Sequence, residues 1–160
     1  MKKYEFTGET KKVEMLFRIV TLHRIRATVS FGLVEVGELG GWIEKEENLS
    51  HDGKAWVWGN AKVWGNAEVW GNAEVFSASH VLVIGAIGSR NDFTTFYRDK
   101  DNEITVKCGC FLGKIDKFLQ KVTETHGDSK YALVYRAAVE VAKLQIDLSG
   151  EAPKEEDGAE

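Results

Sequence analysis

Residues 55–76 read AWVWGNAKVWGNAEVWGNAEVF, a six-residue unit that occurs nearly four times in succession. Each unit has alanine first and valine third, and its fourth position holds tryptophan three times and then phenylalanine. A period of six fits neither an amphipathic helix nor a strand whose side chains alternate every two residues. The repeat must therefore be explained before the segments on either side of it.

This spacing resembles the hexapeptide repeat of left-handed parallel β-helices, in which three hexads form one triangular coil. The resemblance implies that the third-position valines point inward, that alanine fits a crowded corner, and that Gly-Asn accepts the positive φ of a turn. These valines are Val57, Val63, Val69 and Val75. We expect about three coils between Leu39 and Ile87, at roughly 18 residues per coil.

The fourth-position tryptophans flank the inward valines, so most of them are predicted to form a stacked aromatic band on the outside of the coil. Such a band favours packing, either as a subunit contact or under the terminal segments, and ligand stacking is the alternative. We therefore expect a homo-oligomer.

The segments on either side of the repeat favour other structures. Three strands before it would form an antiparallel unit that caps the open end of the β-helix, and a hairpin and two helices would follow it. These elements are Tyr4–Phe6, Val13–Val20, Leu22–Val29, Asp92–Arg98, Glu103–Cys108, Lys114–His126 and Ser129–Leu148. The predicted fold is mainly β with C-terminal helices: a short left-handed parallel β-helix, capped by an N-terminal antiparallel β unit and followed by a β-hairpin and two α-helices.

One domain is predicted over residues 1–148, divided into a cap (1–38), the β-helix (39–90) and the hairpin with two helices (91–148). Residues 149–160 carry five acidic side chains against one lysine and are predicted to be a disordered tail. The formal net charge is −4, so the tail accounts for it and the body is close to neutral. Neutrality argues against duplex nucleic acid or a membrane as a partner, and the lack of a signal peptide or long apolar run predicts a cytoplasmic protein.

Gly88, Ser89 and Arg90 form the first candidate binding site, because they lie where the repeat is expected to end. Backbone N–H groups are free at such a point, glycine and serine permit close approach of an anion, and arginine donates two hydrogen bonds to phosphate. Groups suited to a ribose or base edge, and rings on which a base could stack, are Trp42, Asn91, Asp92, Phe93, Thr94, Thr95 and Tyr97. The alternative is an ordinary turn in which Arg90 pairs with Asp92.

His23, Arg24 and Arg26 form a second basic cluster. On a strand, Arg24 and Arg26 share one face and His23 lies on the other, so the two arginines could bind two phosphates. The alternative is a solvated strand whose arginines pair with Glu35 or Glu38.

No metal or cofactor is expected, since Cys108, Cys110 and the four histidines lack the spacing of a zinc site. His51 lies in the repeat region, and hexapeptide acyltransferases resemble one another in using a histidine as general base. This chain has few coils for an acyl-carrier groove and no carboxylate suitably placed beside His51. We therefore expect no catalytic residues, with an acyl- or acetyltransferase as the alternative.

A wider resemblance joins several motifs. Leu22–Ala27, Gly37–Ser50 and the aromatic-Gly-Asn-Ala hexads resemble short hexapeptide-repeat proteins of phages and prophages over about residues 1–90, and Ile87–Tyr97 and Cys108–Phe111 extend the likeness. The resemblance implies a phage accessory protein acting inside a bacterial host cell, and it carries over no catalytic residue.

The leading functional hypothesis is a non-catalytic phage protein that sequesters a small phosphorylated nucleotide immune signal. Small phage proteins of unrelated folds act as such sponges, and the arginines and aromatic residues suit this chemistry. The expected ligand is of the cyclic ADP-ribose type or a cyclic oligonucleotide. A structural or protein-binding module is the remaining alternative.

Overall fold

The computed structural model describes residues 2–149, which form two sheets of four strands, one pair of short strands and two C-terminal helices. The strands are β1 (Tyr4–Glu14), β2 (Ile19–Ala27), β3 (Leu39–Ile43), β4 (Trp56–Val57), β5 (Lys62–Val63), β6 (Glu74–Val75), β7 (Val81–Ile87), β8 (Asp92–Arg98), β9 (Ile104–Cys108) and β10 (Phe111–Lys114). The helices are α1 (Ile115–His126) and α2 (Lys130–Gln145), and short 3₁₀ turns occur at Glu46–Asn48 and Ala78–His80.

The first sheet has the strand order β1-β2-β3-β5. Strands β1 and β2 form a long antiparallel hairpin, β2 pairs antiparallel with β3, and β3 pairs in parallel with β5. The alternation of β2 sends Ile25 and Ala27 into the main core and Val20 and Leu22 into a small second cluster with Trp42. Antiparallel pairing before the repeat is as predicted, but the strands differ: the three short strands expected are two long ones, β1 and β2, and no β-helix is present among residues 2–149 for them to cap.

The left-handed β-helix predicted for the hexads is wrong. Over residues 2–149 the strands form antiparallel and mixed sheets, and the hexads supply only the two-residue strands β4, β5 and β6. Gly59, Gly65 and Gly71 take positive φ values of 54°, 66° and 67°, which turn the chain soon after each inward valine. Because the strands are so short, they pair with whatever backbone lies beside them: β5 with β3, and β4 with β6.

The inward direction of the repeat valines is nevertheless confirmed. All four are buried in the main core, together with the first-position alanines. These eight residues are Ala55, Val57, Ala61, Val63, Ala67, Val69, Ala73 and Val75. A small and a β-branched side chain two positions apart therefore identify the core face, even though the chain does not coil as predicted.

The tryptophan band is not an exposed outer surface. Trp58, Trp64, Trp70 and Phe76 are half-buried. Trp58 stacks on Phe76 with ring centroids 5.4 Å apart, and the Lys107 ammonium lies 4.7 Å above the Trp70 ring. The chain's own segments therefore cover part of the band.

The second sheet is an antiparallel meander with the order β10-β9-β8-β7. The hairpin of β8 and β9 confirms its prediction, whereas Val81–Ile87 joins this sheet and does not continue the repeat. Both predicted helices are confirmed, and α1 ends before Gly127, whose N–H bonds the Thr123 carbonyl. The helices pack on one face of the sheet around a separate core that contains Phe96, Val106, Phe118 and Val139.

The hexads pack against the other face of this sheet. Tyr97 of β8 belongs to the main core, and the Thr95 hydroxyl oxygen accepts the Glu68 N–H at 3.0 Å. The predicted acidic tail, apart from Ser149, lies outside the described residues.

Candidate functional site

Gly88 to Asn91 form the turn between β7 and β8, where the Asn91 N–H bonds the Gly88 carbonyl at 3.1 Å. A Cβ on Gly88 would clash with the Tyr135 hydroxyl of α2, and φ is +79°, so both packing and backbone conformation favour glycine here. Ser89 and Arg90 are exposed, and Arg90 forms no ion pair among residues 2–149. Arg90 is therefore an available cation on an open turn.

The residues after this turn face a small cleft of ≈ 170 Å³, lined by Asn66, Glu68, Asp92, Phe93 and Gly109. Asp92 accepts the Phe93 N–H at 2.7 Å. Lys107 lies 3.7 Å from Glu68 and compensates its charge, whereas Asp92 has no ion pair among residues 2–149, so Asp92 is the lining carboxylate that disfavours a phosphate group.

The predicted ribose-binding residues further along β8 are buried. Thr94 donates a hydrogen bond to the Cys108 sulfur at 3.3 Å, and Thr95 and Tyr97 lie in the contact between the sheet and the hexads. These side chains therefore stabilise the fold and do not face a cleft.

Arg24 and Arg26 share one face of β2, as predicted, but each has a carboxylate partner on β1. Arg26 binds Glu5 at 2.6 Å, and Arg24 lies 3.7 Å from Glu9 and donates to the Gly40 carbonyl at 3.3 Å. The expected alternative, pairing with the glutamates before β3, is not the arrangement seen. These contacts lie within the first sheet, whereas Arg90 belongs to the second, so the structure does not join the two predicted phosphate-binding groups.

His23 and Trp42 are also engaged in the first sheet. The His23 ring stacks on Phe6 at 4.6 Å. Trp42 is only 3% exposed and is covered by Lys11, whose ammonium lies 4.7 Å from its ring, and by Arg24 at 5.6 Å. Trp42 is therefore a core residue with cationic cover.

A larger cleft lies where the N-terminal segment, the hexads and the β8–β9 loop meet. We call it the tryptophan cleft; its volume is ≈ 370 Å³, within the range of small-molecule sites. Its lining residues are Gly32, Leu33, Val34, Lys54, Trp56, Trp58, Asn72, Glu74 and Lys100.

The aromatic wall of the tryptophan cleft is held from behind. Trp58 stacks on Phe76 at an interplanar angle of 15°, and the Arg98 guanidinium lies 5.3 Å from the Phe76 centroid. Trp56 meets Phe31 edge to face at 5.3 Å. The indole N–H groups of both cleft tryptophans are buried without a hydrogen-bond partner among the described residues. The wall is thus rigid before any ligand arrives.

The rim of the tryptophan cleft is cationic. Lys54 and Lys100 are exposed, and their backbone N–H groups bond the Gly-Asn pair of the third hexad at 2.9 Å, which places both side chains. Lys54 has no ion pair among residues 2–149, and Lys100 lies 3.8 Å from the exposed Asp101. The one carboxylate of the lining, Glu74, lies 3.6 Å from Arg98, which compensates its charge. The cleft therefore attracts an anion.

The tryptophan cleft was missed at the level of sequence, although one signal was present. Trp56 stands at the second position of its hexad, where the other units have Lys62, Glu68 and Glu74. An apolar ring at a position otherwise charged indicates a neighbour outside the repeat. Nothing comparable marks Lys100, which reaches the cleft through the β8–β9 loop.

His51 is placed differently from a general base. Its Nδ1 accepts the Lys3 backbone N–H at 3.0 Å, and its ring stacks on Tyr4 at 4.0 Å. Burial lowers the pKa of His51, so the imidazole is neutral at pH 7. It lines neither cleft.

Residues 2–149 contain no group of three His, Cys, Asp or Glu side chains able to hold a metal ion. Neither of the two helices is long and apolar enough to cross a membrane. Cys108 is half-buried, Cys110 is exposed, and both are free thiols.

No protein-family model matches this chain, and a search of curated proteins finds no significant match.

Proposed function

We propose that this chain is a non-catalytic binding protein for a small phosphorylated nucleotide, held in the tryptophan cleft. The observation that supports it is the combination, in one cleft, of a fixed indole wall and two lysines with no uncompensated carboxylate in the lining. A nucleotide presents an aromatic base and an anionic phosphate, and these two features match the two halves of the cleft.

Each half of the cleft supplies a different interaction. The ammonium groups of Lys54 and Lys100 act as mobile point charges, which suits phosphate oxygens whose direction is not fixed. The base packs against Trp58 and the exposed Leu33, and stacking on an aromatic residue contributes roughly 1–3 kcal/mol per base. The Asn72 amide is available to a base edge.

The size of the cleft restricts the ligand. The volume of ≈ 370 Å³ favours the smaller of the two expected ligand classes, the cyclic ADP-ribose type with a single base, over a cyclic oligonucleotide with two or more bases. In a phage-infected bacterium, such binding would remove an immune signal by sequestration. This role rests on the resemblance to phage proteins together with the chemistry of the cleft.

Binding is favoured over acyl transfer by the residues that line the cleft. They include no histidine, cysteine or serine, and Arg98 holds the one carboxylate, Glu74, as an ion-paired anion. His51, the candidate base for a transferase, lies outside the cleft, and its Nδ1 accepts a hydrogen bond from the Lys3 backbone N–H.

Two measurements test the proposal. Purified protein is heat-denatured and the supernatant analysed by mass spectrometry, and refolded or ligand-free protein is titrated with cyclic ADP-ribose and with cyclic di-adenylate while tryptophan fluorescence is followed. A released nucleotide, or quenching that saturates with one of these probes, supports the proposal. Binding of acetyl-CoA with acetyl transfer to an amine would instead favour the transferase.

Matched variants locate the site. Lys54→Gln and Lys100→Gln should each weaken binding about tenfold, because a charge-assisted contact contributes about 1.5–3 kcal/mol. Lys12→Gln removes the same charge from exposed β1, outside the cleft lining, and should leave the affinity unchanged. If Arg90→Ala weakens binding while the two cleft variants do not, the ligand lies at the β7–β8 turn and the tryptophan cleft is not its site.

A further inference from the structure

Helix α2 has two apolar faces, and among residues 2–149 other segments cover only one of them. The covered face packs on the second sheet and α1 through Ala132, Tyr135, Ala138, Val139, Ala142 and, just after the helix, Ile146. The opposite face carries an apolar stripe at Leu133, Ala137, Val141 and Leu144, which we call the outer stripe. Leu133 is 60% exposed, Val141 48% and Leu144 89%.

The outward face of α1 provides a comparison within the same chain. Its exposed positions are all polar or charged: Asp116, Lys117, Gln120, Lys121, Thr123, Glu124 and Thr125. Helices α1 and α2 pack on the same sheet. The polar outer face of α1 therefore shows the composition expected for a helix of this layer whose outer face is exposed to solvent. A helix that is apolar on both sides normally lies between two packed surfaces. The outer stripe is therefore the signature of a contact.

We propose that the outer stripe is a self-association surface, on which α2 packs antiparallel against α2 of a second copy of this chain. Successive members of the stripe are spaced by four, four and three residues, so they form a continuous ridge along one side of the helix. Ala137, near the middle, leaves room for close approach of the two helix backbones. A two-fold axis makes this contact closed, because the same patch is used on both copies.

Charge complementarity supports a second copy as the occupant. If a two-fold axis places Leu133 opposite the partner's Leu144, the antiparallel arrangement also brings Lys130, at the start of α2, to the end of the partner's α2, where Asp147 lies two residues beyond Gln145. Lys130 is exposed and has no ion pair among residues 2–149. Asp147 is also exposed; its carboxylate accepts hydrogen bonds from Ser149 and interacts electrostatically with His80, and its backbone N–H bonds the Ser79 carbonyl. The contact thus places leucine against leucine and a lysine near an aspartate, and the two-fold axis repeats both pairs.

The charged residue nearest the stripe does not oppose this contact. Glu140 has its own cation, Lys143, at 3.5 Å one turn along the helix. In the same register Glu140 faces the partner's Ala137, a small side chain past which the glutamate can reach solvent.

The test is the mass of the full chain in solution, measured by light scattering after gel filtration at high micromolar concentration. The wild-type protein should have twice the 17.9 kDa chain mass. Leu133→Glu and Leu144→Glu should each return the mass to that of one chain and raise the dissociation constant at least tenfold. Both positions are exposed, so the melting temperature of dilute protein should not fall. Gln120→Glu, the same kind of change on the outer face of α1, should leave the dimer intact.

A charge exchange tests the register. Lys130→Glu should weaken the dimer several-fold, and combining it with Asp147→Lys should restore wild-type affinity. If these residues affected only solubility, the double variant would not regain the wild-type affinity. A wild-type chain that stays at single mass overturns the proposal. So does an oligomer whose mass the Leu144→Glu change does not lower, because its contact then lies elsewhere, for instance at the hexad aromatic residues. Titration with cyclic ADP-ribose reports on the cleft separately from either outcome.

Discussion

Gly41→Ala tests the contact that joins the antiparallel sheet to the hexads. A Cβ built on Gly41 lies 2.5 Å from the Ala61 carbonyl oxygen and 2.8 Å from Val57 Cγ1, so backbone as well as side chain must move. The Ala61 carbonyl accepts the Trp42 N–H at 3.0 Å, one of the bonds between β3 and the start of β5. Overpacking costs about 1–3 kcal/mol and a weakened hydrogen bond about 1 kcal/mol, so we expect a loss of about 2–4 kcal/mol.

Gly59→Ala is the matched control, because it adds the same methyl group at a hexad turn. Nothing lies within 4 Å of a Cβ there, and φ is +54°, so only the backbone conformation should cost energy, about 1–2 kcal/mol. Urea unfolding followed by circular dichroism gives both free energies. At roughly 2–4 °C per kcal/mol, Gly41→Ala should lower Tm by about 4–16 °C. A Gly41→Ala protein at least as stable as Gly59→Ala would refute the close approach of β3 to the hexads.

Two further predictions concern pH. Burial lowers the pKa of Lys3 to about 8, so between pH 8 and 10 the unfolded chain, with its ordinary value of 10.5, holds a proton that the folded chain has released. The free energy of unfolding should therefore rise by at most about 2 kcal/mol over this interval. Lys3→Met should abolish this rise, whereas the control Lys2→Met, at an exposed site, should show the same rise as the wild type. In acid, burial and then the charge of Arg98 lower the pKa of His80, and the consequence has the same sign: below about pH 6.5 the unfolded chain binds the proton first, so stability is lost as the pH falls. The hydrogen bond that His80 Nδ1 accepts from the Phe76 N–H must also break when that atom is protonated. Tm should fall between pH 7 and 5.5, and His80→Gln should reduce that fall; an unchanged pH profile in the variant would show that His80 does not contribute.

The residues that face the core could be predicted because local pattern alone selects them. One valine and one alanine per hexad, with charged or aromatic residues beside them, leave a single face able to be buried wherever the strands pair. The β8–β9 hairpin and the two helices were also predictable, since turn residues, helix periodicity and Gly127 act over a few positions.

The position of the candidate site could not be predicted from the sequence. Arginines and aromatic rings indicated an anionic aromatic ligand, but a sequence does not show which cations already have partners. Arg24 and Arg26 face Glu9 and Glu5 because β1 and β2 form a hairpin with a particular register, which involves a bulge between Phe6 and Thr10.

Strand pairing and the meeting of distant segments depend on the tertiary structure. The repeat specifies inward valines and frequent turns, and these are compatible with more than one arrangement of strands. Contacts with β3 on one side and β8 on the other settle where the hexads lie, and both contacts join residues far apart in the chain. The same packing brings Lys54 and Lys100 to one cleft. Two-residue strands gain little free energy from pairing. The hexapeptide repeat alone therefore does not determine which strands pair, and the surfaces packed around these strands do.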